Sequence, residues 1–360
     1  MPPALSLLIM ASALALARAK LSCIGDNGDE VDYFIILKMP NSGKYMYLDS
    51  FDQNFKKSPQ DLSSSSRNNA VSATFAQVYA DEKTDVGFVM YNDMHPDGKL
   101  NDSRAHSKGV MALDSEQGFW TIHSVPGFPN AVDDKYEPLT NGLRFGQHFM
   151  CMTMAPDQFN SLGRLGQINW PSQFDSHLPD SLRGNNSDFA DFVDGKENKD
   201  TLSTSIQIKS VGGQKFTVFA KNAHWGGSDL YEDLVAPDLG VSLQANTWQN
   251  GIGNPMDSYC KGGGFDYTVV NVATQDRGGT TWKESQDHSK WAIAYFPFGE
   301  SRMSGTSASR RLRNGTRKWV CVGDINRMVS QGNRGGGTAC IYSPDIWFEF
   351  NRGIATLEEC

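Results

Sequence analysis

The feature that most constrains this chain is a short motif written twice. Ala105-His106-Ser107-Lys108-Gly109-Val110-Met111-Ala112-Leu113 and Asp287-His288-Ser289-Lys290-Trp291-Ala292-Ile293-Ala294 each set a His and a Lys two residues apart at the head of an apolar run. Read as strands, those runs put residues i and i+2 on one face, so each copy presents an imidazole beside an ammonium. The two copies stand 182 residues apart. A fold that uses both must bring distant strands together, and two such pairs face to face make a pocket for a phosphodiester.

The amino terminus reads as a secretory signal. An apolar run from Ala4 to Ala17 ends in Ala17-Arg18-Ala19, which predicts cleavage after residue 19. The usual basic n-region is missing, but 14 residues are too few to span a bilayer and no later run approaches a span. In an oxidising compartment the six cysteines, Cys23, Cys151, Cys260, Cys321, Cys340 and Cys360, are expected to pair. They contain no Cys-x-x-Cys, so a zinc site is not expected. Sequons at Asn101, Asn185 and Asn314 fit a glycoprotein.

A net charge of −8, or −9 once Arg18 leaves with the signal, argues against indiscriminate binding to nucleic acid at neutral pH. Protonating all seven His near pH 5 brings this to −2, so a polyanionic substrate fits an acidic organelle better than the cytosol. The length of 360 residues allows one large two-lobed unit.

Along the chain, Asp32–Lys38 and Lys44–Asp49 read as a hairpin turned by Pro40-Asn-Ser-Gly43, and Leu62–Asn69 as a loop. Gly87–Tyr91, His106–Asp114 and Gly118–Ser124 read as strands, with His106 and His123 near the same end of an antiparallel pair. Gly146–Thr153 is expected to open a helix. Ile206–Lys209, Lys215–Ala220, Phe265–Ala273 and Lys318–Gly323 read as strands; Asp229–Leu234 and Gly240–Gln249 read as short helices or irregular segments. The Gly/Ser/Arg stretch Phe298–Thr316, with Arg302, Arg310, Arg311, Arg313 and neighbouring Arg317, is either a solvated loop or a basic rim contacting phosphates. Strand, His-Ser-Lys strand, connection and polar-ended strand recur in both halves, about residues 20–190 and 200–360. His123 is either a core histidine or a pocket residue. His95, His148, His177 and His224 fit no spacing and are assigned ordinary surface or core roles, and Trp120, Trp291 and Trp319 are assigned to packing.

Several longer matches go further. Asp287-His-Ser-Lys-Trp291, Cys321-Val-Gly-Asp-Ile-Asn-Arg327, Arg334-Gly-Gly-Gly-Thr338, His106-Ser-Lys-Gly-Val110, Gly118–Pro126 and the opening Cys23-Ile-Gly-Asp-Asn-Gly-Asp-Glu-Val-Asp-Tyr-Phe34 resemble the deoxyribonuclease II family over essentially the whole mature chain. The resemblance implies an α/β fold of the phospholipase D-like superfamily, with mixed sheets flanked by helices and two pseudo-symmetric halves sharing one active site. It also implies cleavage of double-stranded DNA at acid pH, without metal or other cofactor, leaving 3′-phosphate and 5′-hydroxyl ends, usually in lysosomes. On that basis His106, Lys108, His288 and Lys290 are the catalytic residues, and His123, Asn326 and Arg327 contact substrate. Gly323-Asp-Ile-Asn326 resembles the superfamily's Gly-Ser-x-Asn element. The implied disulfides are Cys23–Cys151, Cys260–Cys360 and Cys321–Cys340. The wider His-x-Lys-x4-Asp pattern is not kept: Asp114 falls one residue late, and the second copy has no such Asp.

Such a site predicts one His attacking phosphorus to give a phosphohistidine while the other protonates the leaving 5′-oxygen, with Lys108, Lys290 and Asn326 on the non-bridging oxygens. Superfamily analogy makes His106 the nucleophile and His288 the acid; the sequence does not decide it. The rival readings are another phospholipase D-like phosphodiesterase, such as one acting on lipid headgroups, and a secreted, non-catalytic nucleic-acid-binding relative. The sequence fits a monomer or a homodimer, and an extracellular destination as well as a lysosomal one.

Overall fold

The computed structural model describes residues 20–66, 68–79, 85–132, 135–251, 253–260, 267–296 and 318–359. The expected signal peptide, the arginine-rich stretch to Arg317, the Asn314 sequon and Cys360 lie outside the described residues.

β1 (Cys23–Ile24) and β2 (Glu30–Val31) form a small hairpin. The first large sheet uses β3 (Tyr33–Lys38), β4 (Tyr45–Asp49), β5 (Lys56–Lys57), β6 (Gly87–Tyr91), β7 (Gly109–Leu113), β8 (Gly118–His123), β9 (Gln147–Met154) and β10 (Gln173–His177). Their order is β10-β6-β7-β8-β9-β3-β4-β5, antiparallel throughout. The second sheet uses β11 (Ser203–Lys209), β12 (Lys215–Lys221), β13 (Ser242–Asn246), β14 (Val269–Arg277), β15 (Thr280–Lys283), β16 (Trp291–Tyr295), β17 (Trp319–Gly323) and β18 (Gly336–Tyr342), with β19 (Ile354–Leu357) on β14. It is mixed, because β13 and β14 run parallel. The central five strands repeat in one order, β6-β7-β8-β9-β3 in the first sheet and β13-β16-β17-β18-β12 in the second. β7 and β16, which carry the duplicated motif, occupy the same place in each.

Alternation along the strands sorts the core into layers. On β3, Tyr33, Ile35 and Leu37 join a cluster drawn from both sheets, while Phe34 and Ile36 face the other way. β9 repeats this with Met150, Met152 and Met154 inward and Phe149 and Cys151 outward. Helix α1 (Ala70–Ala76), whose N-cap Asn69 accepts the Ser72 N–H, covers the outward layer with Val71 and Phe75. Helix α2 (Gln158–Asn169) adds Phe159, Leu162, Leu165 and Ile168 to the central layer, and helix Pro344–Arg352 adds Ile346 and Phe350. Each such side chain withdrawn from water contributes about 1.5–3 kcal/mol.

Two segments depart from the sequence expectation. Gly146–Thr153 is the central strand β9 rather than a helix, and Gly240–Gln249 holds strand β13. In both, a fully buried strand loses the polar alternation that marks a half-exposed one, so the pattern resembles a buried helix. Cys23–Cys151 ties β1 to β9, and Cys321–Cys340 joins facing residues of β17 and β18. Cys260 is also disulfide-bonded.

Candidate active site

The two motif strands end at one cleft. His106, Lys108, His288 and Lys290 all line it, together with Asn326 and Arg334, in a space of about 740 Å³ open to solvent. The pairs are set by equivalent backbone bonds. His123 N–H donates to the Lys108 carbonyl at 3.1 Å, and Gly323 N–H to the Lys290 carbonyl at 2.9 Å.

Each motif histidine is anchored by the opposite sheet. His106 N–H donates to the Gly335 carbonyl, just before β18, at 3.0 Å; His288 N–H donates to the Gly146 carbonyl, just before β9, at 2.8 Å. Both anchors lack room for a side chain. A Cβ on Gly335 would stand 2.1 Å from the Asn169 carbonyl oxygen, and one on Gly146 2.5 Å from Asp287 Oδ1. The strands of one sheet therefore position the chemistry of the other.

The surroundings of the two imidazoles differ. His106 Nδ1 lies 2.6 Å from the Asp324 carbonyl oxygen, which can only accept, so Nδ1 carries the hydrogen and Nε2 faces Asp93 Oδ2 at 3.7 Å. Asp93 is almost wholly buried, pairs with Lys108, and accepts from Arg334 Nη2 at 3.1 Å. His288 is packed by rings. Phe145 stacks on it with centroids 4.3 Å apart and planes 9° apart, and Trp248 meets it edgewise at 4.0 Å. His288 Nε2 is buried with no hydrogen-bond partner among the described residues. Lys290 Nζ donates to the His288 carbonyl, and its N–H donates to His148 Nδ1 at 3.1 Å.

Burial and crowding by cations set the charge states. Burial, then Lys108, Lys290 and Arg334, push the His106 imidazole well below its ordinary range against the opposing pull of Asp93. Burial, Lys290, Lys108 and Lys38 bring His288 down to about 2. Burial, with Lys108 adding to it, lowers Lys290 to about 7. Burial alone would raise Asp93, but the charges of Lys108 and Arg334 beside it outweigh that and hold the carboxyl far below its ordinary range. Asp324 goes the other way, raised by burial to about 6 while the Gly337 N–H opposes the shift. His148 and His123 are likewise pushed down, by burial first. The charge relief expected from protonating all seven His near pH 5 is therefore not available from these four.

Two residues read as substrate contacts lie elsewhere. His123 is wholly buried: Phe119, Thr121 and His123 share the outward face of β8, so its ring stacks on Phe149 and meets Phe128, and Nδ1 accepts the Val125 N–H. Arg327 is wholly buried away from the cleft, paired with Asp229 at 2.8 Å, bonded to Asn271 and the Asp257 carbonyl, and packed over Tyr259. Asn326, one residue earlier, does reach the cleft, with its buried Oδ1 unpartnered. Asp114 caps the turn after β7, accepting from Glu116 and Gln117, at the strand end remote from the motif. Asn185 is exposed, whereas Asn101 is half-buried with Nδ2 donating to Ser172.

Asp93, Arg334, His148, Phe145 and Trp248 belong to the site without being singled out from sequence. Arg334 sits inside a motif that pointed to it; His148 is hidden by the misread β9. Among the described residues no three of His, Cys, Asp and Glu are grouped to hold a metal ion.

The deoxyribonuclease II family profile matches residues 22–360. The chain belongs to that family. It is 32% identical to plancitoxin-1 of Acanthaster planci, covering 99% of this chain and 97% of the relative. It is 31% identical to deoxyribonuclease-2-alpha of Rattus norvegicus, covering 99% of both, and 31% identical to cell death-related nuclease 6 of Caenorhabditis elegans, covering 98% and 93%. No described helix is long and apolar enough to cross a membrane.

Proposed function

We propose that this chain is an acid endodeoxyribonuclease that hydrolyses double-stranded DNA through a phosphohistidine, without a metal, leaving 3′-phosphate and 5′-hydroxyl ends. The observation that carries this reading is the convergence of both His-x-Lys pairs on one cleft in a member of the deoxyribonuclease II family. The named activity of the rat relative agrees with it.

The chemistry needs a nucleophile, a proton for the leaving oxygen, and positive donors around the phosphoryl oxygens. Two imidazoles supply the first two. Lys108 and Lys290, with Asn326 and Arg334 beside them, supply the third. In the free cleft burial first, and the neighbouring cations after it, keep both imidazoles neutral. A phosphodiester anion seated between the lysines offsets that suppression, and low pH provides the proton. Activity is then present below the macroscopic pKa of the loaded pair and lost as pH rises through it. This favours an acidic compartment, the lysosome first and the extracellular space as the alternative.

The test is digestion of supercoiled plasmid between pH 4 and 8 with EDTA present, followed by end-group analysis. Nicking that is EDTA-resistant, strongest at acid pH and leaves 3′-phosphates is expected. No cleavage under any of these conditions would refute the reading.

A further inference from the structure

The motif strands of the two sheets pair with their neighbours in matching register, so residues at corresponding places can be compared. Tyr91 faces Gly109 as Asn246 faces Trp291, which makes Asp93 the counterpart of Trp248. In one copy of the motif a carboxylate stands against the imidazole, and in the other an indole does. The site is therefore chemically asymmetric where the backbone is not.

We infer that Asp93 makes His106 the proton donor of the reaction and that His288 is the nucleophile, the reverse of the assignment that superfamily analogy implies. This rests on the phosphohistidine reading above. An acid must hold a second proton next to a scissile bond, and an imidazolium needs a negative neighbour to do so in a buried site. Asp93 Oδ2 is that neighbour, 3.7 Å from Nε2, too far to capture the proton in a hydrogen bond and near enough to stabilise its charge. The Asp324 carbonyl holds the other hydrogen on Nδ1, so Nε2 is the nitrogen that gains and loses the working proton. The remaining charged groups acting on His106 are Lys108, Lys290 and Arg334; the first and last are themselves paired with Asp93.

Around His288 the charged groups acting on the ring are Lys290, Lys108 and Lys38, all cationic, with no carboxylate among them. Phe145 and Trp248 fix its plane without contributing a hydrogen bond. A ring kept neutral, with Nε2 unpartnered, offers a lone pair, which is what a nucleophile requires. In the first step a His288 nitrogen forms a bond to phosphorus as the P–O5′ bond breaks, and the O5′ takes the proton from His106 Nε2. In the second, water attacks phosphorus and gives its proton to His106 Nε2 while the P–N bond breaks, releasing the 3′-phosphate and restoring His288.

The decisive experiment uses the unmodified protein. It is mixed with a 5′-capped, internally labelled duplex at pH 5, quenched into alkaline denaturant where phosphohistidine survives, and digested for peptide mapping. Label on the His288 peptide is expected; label on His106, or on neither while nicking proceeds, overturns the inference and leaves the nuclease reading standing. A second arm uses thymidine 3′-(4-nitrophenyl phosphate), whose leaving group needs no proton. His106→Ala should lose about 10²–10⁴-fold on DNA but less than about tenfold in the pre-steady-state release of the first equivalent of 4-nitrophenol from this ester, the step for which only general acid catalysis is missing. His288→Ala should lose both, and equal losses for His106→Ala on both substrates count against the assignment. Asp93→Asn should move the alkaline limb of the pH–rate profile to lower pH, which a merely structural role would not do.

Discussion

Burying a histidine neutral beside an acid-dependent site has a measurable cost, and His123 isolates it. Its folded-state pKa is depressed to about 3 from 6.5. Below about pH 6.5 the unfolded chain therefore binds a proton that the folded chain refuses, so stability falls as pH drops and continues to fall until the folded pKa is reached. Between pH 7 and pH 5 this one group removes ~2 kcal/mol, at 1.36 kcal/mol per pH unit below the unfolded pKa. His123→Phe places a third ring against Phe128 and Phe149 and leaves the Val125 N–H without its acceptor, a pH-independent loss of about 1–3 kcal/mol. That offset cancels in the comparison that matters. Urea unfolding followed by tryptophan fluorescence, disulfides intact, gives the stability of each protein at both pH values. The variant should lose ~2 kcal/mol less than the parent on going from pH 7 to 5. Equal losses would show that His123 already accepts a proton in the folded protein, and the account of a neutral buried histidine would be wrong.

Three further outcomes follow from the same geometry. Arg327→Ala should destabilise the fold by about 3–5 kcal/mol, as removal of one partner from a buried pair does, yet leave the DNA affinity of the folded fraction unchanged in an electrophoretic shift assay. Gly335→Ala and Gly146→Ala should each cut kcat by about 10²-fold through displacement of a histidine anchor, with far-ultraviolet circular dichroism unaltered. Lys290→Gln should lower kcat by about 10²–10³-fold and move the alkaline limb of the residual activity upward, because Lys290 depresses both imidazoles; a pH–rate profile on a short duplex reads both.

The site was legible where chemistry and spacing coincide. His106, Lys108, His288 and Lys290 stand at strand starts with period-two spacing, and the fold brings all four to one cleft. Asn326, which lines the same cleft, was pointed to by the resemblance of Gly323-Asp-Ile-Asn326 to a superfamily element and not by spacing. Proximity within the chain misled in two cases: Arg327 adjoins Asn326 but turns to Asp229, and His123 ends a strand beside the motif but faces the outer layer. Asp93 and Trp248 were invisible because their meaning depends on which strand lies next to which, β6 beside β7 and β13 beside β16, and neither pairing is written in a single segment. His148 was missed with its strand, since a run buried on both faces carries no alternation to read.

The claim on which the rest depends is that one phosphorus is served by both His-Lys pairs. A crystal structure with a 3′-phosphorylated dinucleotide bound at pH 5 tests it directly. One phosphate contacted by both Lys108 and Lys290, with the His106 and His288 rings on opposite sides of it, is the predicted result. A phosphate held by a single pair, with the other pair left facing solvent, would contradict it.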